Sequence, residues 1–210
     1  IHSGCTVCID FINFNTEFIN PYIITSYNQR YYNIHTSKSA IQVNQDEMMK
    51  VWMEYMTPSD VHKHFQKLEG TWTTDIKFWM APGTEPTSST GEAVGEMILG
   101  GRYLKFTHTG NYMNMPMEGM SLESYDNSKK ELTSIWIDNM GTGMMVLKGT
   151  ISDDFKTLEY SGTIFDPISK SDMKVRQVSK MLDDNKMQME MFMTYMDQEF
   201  KNMEIIFTRK

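Results

Sequence analysis

The sequence predicts a mainly β protein: an antiparallel, up-and-down β-barrel of about ten strands, preceded by one or two short helices. Three observations predict this fold. After Gly70, apolar side chains alternate with polar ones, which is the period of a half-buried strand. Strand-like segments then recur about every ten to twelve residues, with turn-forming residues between them. The same part of the sequence lacks the helical stretches that parallel strands need as crossovers, so neighbouring strands are predicted to be antiparallel.

Two helices are predicted before the barrel. In residues 46–56, apolar residues recur at helical spacing, which predicts a short amphipathic helix. A second helix is predicted to begin with Thr57 as its N-cap and Pro58 at its first position, and to end at Gly70. The apolar face of this second helix is formed by Val61, Phe65 and Leu68.

The first strand is predicted at residues 72–80, with the set that begins at Trp72 facing inward, and residues 81–91 are predicted to form a loop. Gly, Asn, Asp, Ser and Pro are common between the later segments, and these residues tolerate tight turns. About ten antiparallel strands best avoid exposed edges by closing into a barrel, which can enclose a small ligand. The later strands are predicted near 92–99, 102–110, 119–125, 131–138, 144–151, 157–165, 173–182, 187–196 and 202–209.

The distribution of methionine predicts a domain boundary. All 21 methionines lie between Met48 and Met203. The preceding stretch shows no sustained period of 2 or 3.6. We therefore expect residues 1–44 to be an N-terminal extension that is disordered or outside the domain, with a true start near Met48, and residues 45–210 to form a single barrel domain. Cys5 and Cys8 in that extension have the spacing of a redox pair or half a zinc site, but neither structural context is visible, so no metal site is predicted.

The charge of the chain limits its partners. A net charge of −7 without a basic cluster argues against nucleic acid or an anionic membrane surface as the main partner. The apolar runs are far shorter than the roughly 20 residues that span a bilayer, so no membrane span is predicted. The predicted partner is a small molecule. The oligomeric state stays open.

Short motifs in a fixed order resemble one bacterial family, the calycin-like domain of unknown function 1579. The resemblance spans roughly residues 52–210 and implies a lipocalin-like barrel, with no established activity to carry over. It also implies that relatives are often exported, whereas the first residues do not show a secretory signal pattern, so a cytoplasmic and an exported location both stay open. The motifs are Thr57-Pro58 with His62, Gly70-Thr71-Trp72, Trp79-Met80, Ala81-Pro82-Gly83, Leu99-Gly100-Gly101-Arg102-Tyr103, His108-Thr109-Gly110, Tyr125-Asp126-Asn127, the run 136–143, Asp166-Pro167, Val175-Arg176, Glu190-Met191 and Met203-Glu204-Ile205.

One predicted strand carries the polar candidates. Arg102 and His108 share a face with Phe106 because strand side chains alternate. If that face is inward, Arg102 needs a carboxylate or polar ligand, with Asp138 or Glu190 as partner. The alternative is that Arg102 sits at a strand end and reaches solvent, and that His108 is a satisfied barrel histidine. The predicted ligand-binding residues are Trp72, Arg102, Phe106, His108, Trp136, Asp138, Met189, Glu190 and Met191.

Methionines repeat at strand spacing. Those at 187, 189, 191 and 193 share one face, and those at 113, 115 and 117 repeat the pattern. Methionine most often fills adaptable apolar cores. Thioethers also suit Cu(I), so copper binding is a minor hypothesis, although neighbours on one face of one strand stand nearly 7 Å apart.

Three functions follow from a barrel of this kind. The first is binding of a small, largely apolar ligand in a cavity lined by methionine and aromatic residues. The second is an enzyme that uses His108 with a carboxylate as an acid/base pair, and the third is a structural protein with a filled core. No nucleophile elbow, zinc-protease motif or phosphate-binding loop occurs, so no catalytic residue is predicted. No histidine follows His108 as an axial ligand for haem, and no cofactor is predicted.

Overall fold

The structure is a computed structural model that describes residues 44–112, 115–195 and 197–210. The expected N-terminal extension, with Cys5 and Cys8, lies outside the described residues apart from its last residue. The barrel lies within residues 49–210, which form one compact unit.

In the described part of the chain, two helices precede the strands, as predicted, but the second begins later. The first, α1, spans Gln45–Met56 and the second, α2, spans Asp60–Gln66. Thr57 does not cap α2; its hydroxyl donates a hydrogen bond to Met53 O (2.6 Å), four residues back, at the end of α1. Ser59 is the N-cap of α2 instead, and its N–H donates to Nδ1 of His62 at 2.9 Å. A proline disfavours helical backbone at the residue before it. This explains why the helical structure is interrupted at Pro58.

Ten strands follow the helices, in agreement with the sequence prediction. Each pairs antiparallel with the next, and β1 also pairs with β10, which closes the barrel. The prediction of a closed, antiparallel up-and-down barrel is therefore confirmed. The strands are β1 (Gly70–Phe78), β2 (Thr87–Ile98), β3 (Tyr103–Tyr112), β4 (Met115–Asp126), β5 (Glu131–Asp138), β6 (Met145–Ile151), β7 (Thr157–Asp166), β8 (Ser171–Asp183), β9 (Lys186–Tyr195) and β10 (Gln198–Arg209).

The predicted loop at 81–91 is shorter in the structure. Strand β2 already begins at Thr87, which pairs with Phe78 at the end of β1. The polar run from Thr87 to Thr90 has no apolar alternation, so the sequence pattern missed this part of the strand. At the next turn, Gly100 and Gly101 adopt positive φ angles of 68° and 77°, a conformation that glycine enters without steric cost.

Helix α2 closes one end of the barrel. Its Val61 and Phe65, and Leu68 just after it, are all buried in the barrel core, so the apolar face predicted from the sequence is confirmed. We call this the closed end; β1 begins here and β10 finishes here. At the opposite end, which we call the distal end, β1 finishes at Phe78 and β3 at Tyr112, whose rings meet edge to face with centroids 5.2 Å apart.

Candidate functional site

A cavity of about 430 Å³ lies inside the barrel. Its wall is formed by the inward face of the strands, and Phe65 and Leu68 border it at the closed end. The lining is mostly apolar, because the period-2 alternation turns one set of side chains from each strand toward the interior. Aromatic members of the lining include Phe78, Phe106, Trp136 and Phe207.

A partly buried acid, Glu123, lies toward the closed end of this cavity. It is on β4, where its strand neighbours are Leu104 on β3 and Ser134 on β5. Both of its carboxyl oxygens accept hydrogen bonds: Oε1 from the Ser134 hydroxyl at 2.8 Å, and Oε2 from the Tyr160 hydroxyl at 2.7 Å. Glu123 is partly buried and borders the cavity. Three polar side chains from three strands thus form one hydrogen-bonded cluster in a mostly apolar interior.

Burial changes the protonation of this cluster. Removal from water disfavours the charged form of a carboxyl group, and it raises the pKa of Glu123 to about 7, against the lowering effect of the Tyr160 and Ser134 hydrogen bonds. Burial and the adjacent carboxyl group raise the pKa of Tyr160 well above its ordinary value. Near neutral pH, Tyr160 therefore stays protonated and donates its hydrogen bond, while Glu123 gains or loses a proton as the pH changes around 7.

His108 lies among aromatic rings farther from the closed end. Its ring centroid is 5.1 Å from that of Trp136, 5.8 Å from that of Phe106 and 6.2 Å from that of Phe207. Burial lowers the pKa of His108 to about 4. The imidazole is therefore neutral at pH 7 and presents one N–H donor and one acceptor nitrogen rather than a positive charge.

Trp136 and Asp138 form a fixed pair near the distal end. The indole N–H of Trp136 donates to Oδ2 of Asp138 at 2.6 Å. The other carboxyl oxygen of Asp138 accepts backbone N–H bonds from Met140 and Gly141. Space for the indole comes from Gly119 on β4, where a Cβ atom would lie 2.5 Å from the ring carbons. Asp138 therefore holds both the tryptophan and the turn after β5.

Six of the nine predicted ligand-binding residues border this cavity, and the structure brings them together. They come from β3, β5 and β9, so residues up to 85 positions apart in the sequence share one enclosed surface, from 106 to 191. The six are Phe106, His108, Trp136, Asp138, Met189 and Met191.

Trp72 lies in the core at the closed end and does not border the cavity. Its indole N–H donates to Leu68 O at 3.1 Å, and the guanidinium of Arg209 stacks on its ring at 4.1 Å. The ring faces inward as predicted, but it is the third residue of β1 and packs beside the α2 segment. Its contacts join α2, β1 and β10.

Arg102 takes the alternative position predicted for it, at a strand end facing solvent, and not the inward one. It precedes β3 and is exposed, and its guanidinium donates to backbone oxygens of Met56 (2.7 Å), Leu99 (3.3 Å) and Gly100 (3.2 Å). The turn at Gly100 and Gly101 leaves Arg102 at the strand end, so it pairs with neither of the predicted carboxylates.

Glu190 also lies outside the cavity. Because Met189 and Met191 face inward, strand alternation turns Glu190 to the outer surface. There its carboxylate forms an ion pair with Lys201, with Oε1 at 3.1 Å from Nζ. The outward position of Glu190 follows from the same alternation of side chains that predicted the barrel.

Four methionines of β9 line the cavity at alternate positions, 187, 189, 191 and 193. Met203 on β10 lies directly opposite Met191 and also lines it. On β4, Met117 borders the cavity and Met115 is exposed, while Met113 lies outside the described residues. The thioether groups of β9 and β10 thus line one surface of the cavity. Copper binding stays a prediction.

The sequence reasoning missed the Glu123 cluster. The signal was available in the alternation of β4, where Ser121, Glu123 and Tyr125 occupy one face. An acid within a run of inward positions indicates a buried polar group that needs partners. The partners, Ser134 and Tyr160, become visible only when β5 and β7 are placed around the cavity.

Within the described ranges, no three His, Cys, Asp or Glu side chains lie close enough together to hold a metal ion. Nor is either helix in that part of the chain sufficiently long and apolar to cross a bilayer.

Comparisons with known proteins bear on the fold and the family. The crystal structure of Rv2717c from M. tuberculosis resembles this chain with a TM-score of 0.56 and 12% sequence identity, over 73% of this chain and 99% of that one. That likeness concerns the fold alone. A protein of unknown function from the DUF3598 family, from Nostoc punctiforme PCC 73102, aligns over 73% of this chain and 100% of its own with 7% identity and a TM-score of 0.21, too low to support an argument. No curated protein matches the chain.

The family comparison is more extensive. The profile of the family described as protein of unknown function DUF1579 matches residues 57–209. This range includes all ten strands and α2. Because the match covers well over half of the sequence, the chain belongs to the DUF1579 family.

Proposed function

We propose that this protein binds a small, largely apolar molecule inside the barrel. The observation that carries the proposal is the cavity of about 430 Å³ inside the barrel, with a mostly apolar lining. Ligand sites are commonly concave, apolar spaces of roughly 300–1,000 Å³ with a few polar groups that orient the ligand. Transfer of apolar surface from water into such a space is favourable by about 0.8 kcal/mol for each methylene group.

Polar groups at two depths would orient the ligand. Glu123 with its two hydroxyl partners lies toward the closed end, and the neutral imidazole of His108 lies among rings closer to the distal end. Methionine side chains supply much of the surface between them. Their flexible, polarizable thioethers adapt to ligands of different shape, so the cavity suits a class of apolar molecules better than one rigid compound.

Binding is favoured over acid/base catalysis by the partners of the carboxylates. A general base works when it is held within hydrogen-bond reach of its partner. Asp138 already accepts hydrogen bonds from Trp136 and from the turn that follows it, and Glu190 faces outward to Lys201. His108 is surrounded by rings, so neither candidate carboxylate is arranged to orient it.

A substitution pair on β7 tests the proposal. Ile164 lines the cavity, whereas the adjacent Phe165 points outward and is exposed. We expect Ile164→Trp to fill part of the cavity and to weaken 1-dodecanol binding at least about tenfold, equivalent to about 1.4 kcal/mol. The matched control Phe165→Trp is expected to leave the affinity unchanged. Displacement of the neutral dye N-phenyl-1-naphthylamine measures both, and circular dichroism verifies that the variants are folded.

Two results would count against the proposal. One is that the wild-type protein binds neither the dye nor dodecanol. The other is that a folded Ile164→Trp variant binds dodecanol as tightly as Phe165→Trp does, since the ligand would then lie elsewhere. Native mass spectrometry of the purified protein adds an independent readout, because a retained apolar molecule supports the proposal and a retained copper ion supports the copper hypothesis instead.

A further inference from the structure

The Asp, Glu, Lys and Arg side chains that line the cavity in the described residues are all acidic. Among the described residues that line it, none is Lys or Arg. The acidic members are Glu92, Glu123 and Asp138. Glu92 forms an ion pair with Lys210, and Asp138 holds Trp136 and a turn. Glu123 accepts hydrogen bonds from two side-chain hydroxyl groups, those of Ser134 and Tyr160, and forms no ion pair among the described residues.

Among the described residues, no Lys or Arg contacts Glu123 or lines the cavity beside it. Ser134 on β5 and Tyr160 on β7 donate neutral hydrogen bonds to it, Leu104 faces it from β3, and Gln177 lies opposite Tyr160 on β8. His108, the other titratable group of β3, is neutral above about pH 4 because burial lowers its pKa. An ionised carboxyl group removed from water is costly unless a positive charge accompanies it.

We propose that the ligand of this cavity is an apolar amine whose ammonium group lies against Glu123, with its hydrocarbon part extending among the methionines toward the distal end. This inference rests on the proposed function and narrows it to a chemical class. An ammonium group has three N–H donors and no acceptor. The carboxyl oxygens of Glu123 and the hydroxyl oxygens of Tyr160 and Ser134 are acceptors, so the two sets are complementary.

The same arrangement opposes fatty acids. A carboxylate ligand placed at the closed end would meet a like charge on Glu123 or would force both groups to share a proton. Within the described lining there is no Lys or Arg to neutralise it. A neutral alcohol of the same length is the intermediate case, because it gains the apolar contacts without the ion pair.

Binding of the amine would release a proton. The ligand arrives as an ammonium ion, since alkylamines have pKa values near that of lysine, about 10.4. Protonated Glu123 gives its proton to solvent and then pairs with the ammonium ion as a carboxylate. With the pKa of Glu123 at about 7, half of the protein molecules lose a proton on binding at pH 7, and affinity rises about tenfold between pH 6 and pH 8 by linkage.

The test compares dodecylamine, 1-dodecanol and dodecanoate, each below its micelle concentration. Dye displacement gives the affinities at pH 6 and pH 8, and titration calorimetry in two buffers of different ionisation enthalpy counts the protons released. We expect dodecylamine to bind at least about tenfold more tightly than dodecanoate at pH 8, with an affinity that rises with pH and with proton release. Dodecanol should show neither pH dependence nor proton release.

Variants on β4 test whether Glu123 causes the pH dependence of amine binding and the preference for the amine. Glu123→Gln keeps both hydrogen-bond positions and is expected to remove the pH dependence and the preference for the amine while leaving dodecanol binding intact. Glu118→Gln is the matched control, because Glu118 lies on the same strand and is exposed. It should behave as the wild type does.

Failure of the amine inference and failure of the proposed function give different experimental results. Dodecanol binding without any preference for dodecylamine over dodecanoate overturns the inference and leaves the proposed function standing. Amine binding to the wild type without proton release at pH 7 also overturns it, and this measurement needs no variant. Absence of binding by all three compounds contradicts the proposed function itself, and the inference fails with it.

Discussion

Replacing Glu123 with Gln is expected to raise the free energy of unfolding by up to about 3 kcal/mol at pH 8 and to change it little at pH 4. The pKa of Glu123 is about 7 in the folded protein, against 4.5 as its ordinary value. Each unit of such a difference corresponds to 1.36 kcal/mol. Glutamine can accept the Tyr160 hydrogen bond and donate to Ser134 without carrying a charge, so the cost of a buried carboxylate disappears.

The direction with pH follows from linkage. A folded-state pKa above the unfolded one means that the folded protein holds the proton more strongly, so the stability from Glu123 is complete below pH 4.5 and is lost as the pH rises to about 7. His108 acts in the opposite direction, because its pKa is lowered to about 4; its contribution is complete above pH 6.5 and is lost as the pH falls. The two effects oppose each other in the wild type, and the variant separates them.

Urea unfolding of wild type and variant at intervals from pH 4 to pH 8 measures this difference. The gap between the two curves should open between pH 4.5 and pH 7 and stay constant above that. Glu118→Gln, on the exposed face of the same strand, is expected to give no such gap. Parallel curves for Glu123→Gln and the wild type would mean that Glu123 is solvated and that the interior is not the apolar enclosure described above.

Replacing Trp72 with Ala is expected to lower the free energy of unfolding by about 3–5 kcal/mol, the usual cost of removing a large buried aromatic side chain. The ring is 0% exposed. Its N–H satisfies the backbone oxygen of Leu68, and its face carries the guanidinium of Arg209. The substitution therefore leaves a void, an unpaired carbonyl and a displaced cation at the closed end.

The Trp72→Phe variant distinguishes a role of Trp72 in stability from a role in ligand binding. It keeps most of the buried area and a ring for Arg209, so we expect a smaller loss of stability, and dodecanol affinity should be unchanged because Trp72 does not border the cavity. Urea unfolding and dye displacement give the two quantities. If Trp72→Ala costs less than about 1 kcal/mol, or if Trp72→Phe abolishes binding in a folded protein, Trp72 has a different role from the one assigned to it here.

The barrel could be predicted from sequence because its signal is local. Alternation of apolar and polar side chains reports one buried face for each strand, and glycine turns such as Gly100-Gly101 mark where strands end. The same signal failed over Thr87–Thr90, where β2 is polar on both faces and its pairing with β1 defines it. Antiparallel order followed from the short connections, and closure followed from the avoidance of exposed edges.

The site was harder to predict because it depends on which strands meet. Phe106 and Trp136 face one cavity, and both were among the residues that the sequence predicted to bind a ligand. Glu190 was misassigned although alternation excludes it when Met189 and Met191 face inward. For Arg102 the sequence left an inward and a strand-end position open, because a strand end resembles a strand interior in sequence, and the structure shows the strand end. The Glu123 contacts with Tyr160, 37 residues away, depend on the barrel cross-section, which no local pattern contains.

The most direct test of the central claim, that an apolar ligand occupies the barrel interior, is NMR of the methionine methyl groups. The 21 methionines can be labelled with ¹³C at the methyl carbon and assigned by single Met→Leu substitutions. On addition of 1-dodecanol, we expect the resonances of cavity methionines to shift, and four of these, Met189, Met191, Met193 and Met203, serve as reporters.

The exposed methionines Met80 and Met144 serve as internal references, since both are about 60% exposed and do not line the cavity. The account predicts that their resonances stay in place while the four cavity resonances shift with a common dissociation constant. Shifts at Met80 and Met144 with unchanged cavity resonances would contradict it, because the ligand would then lie on the outer surface.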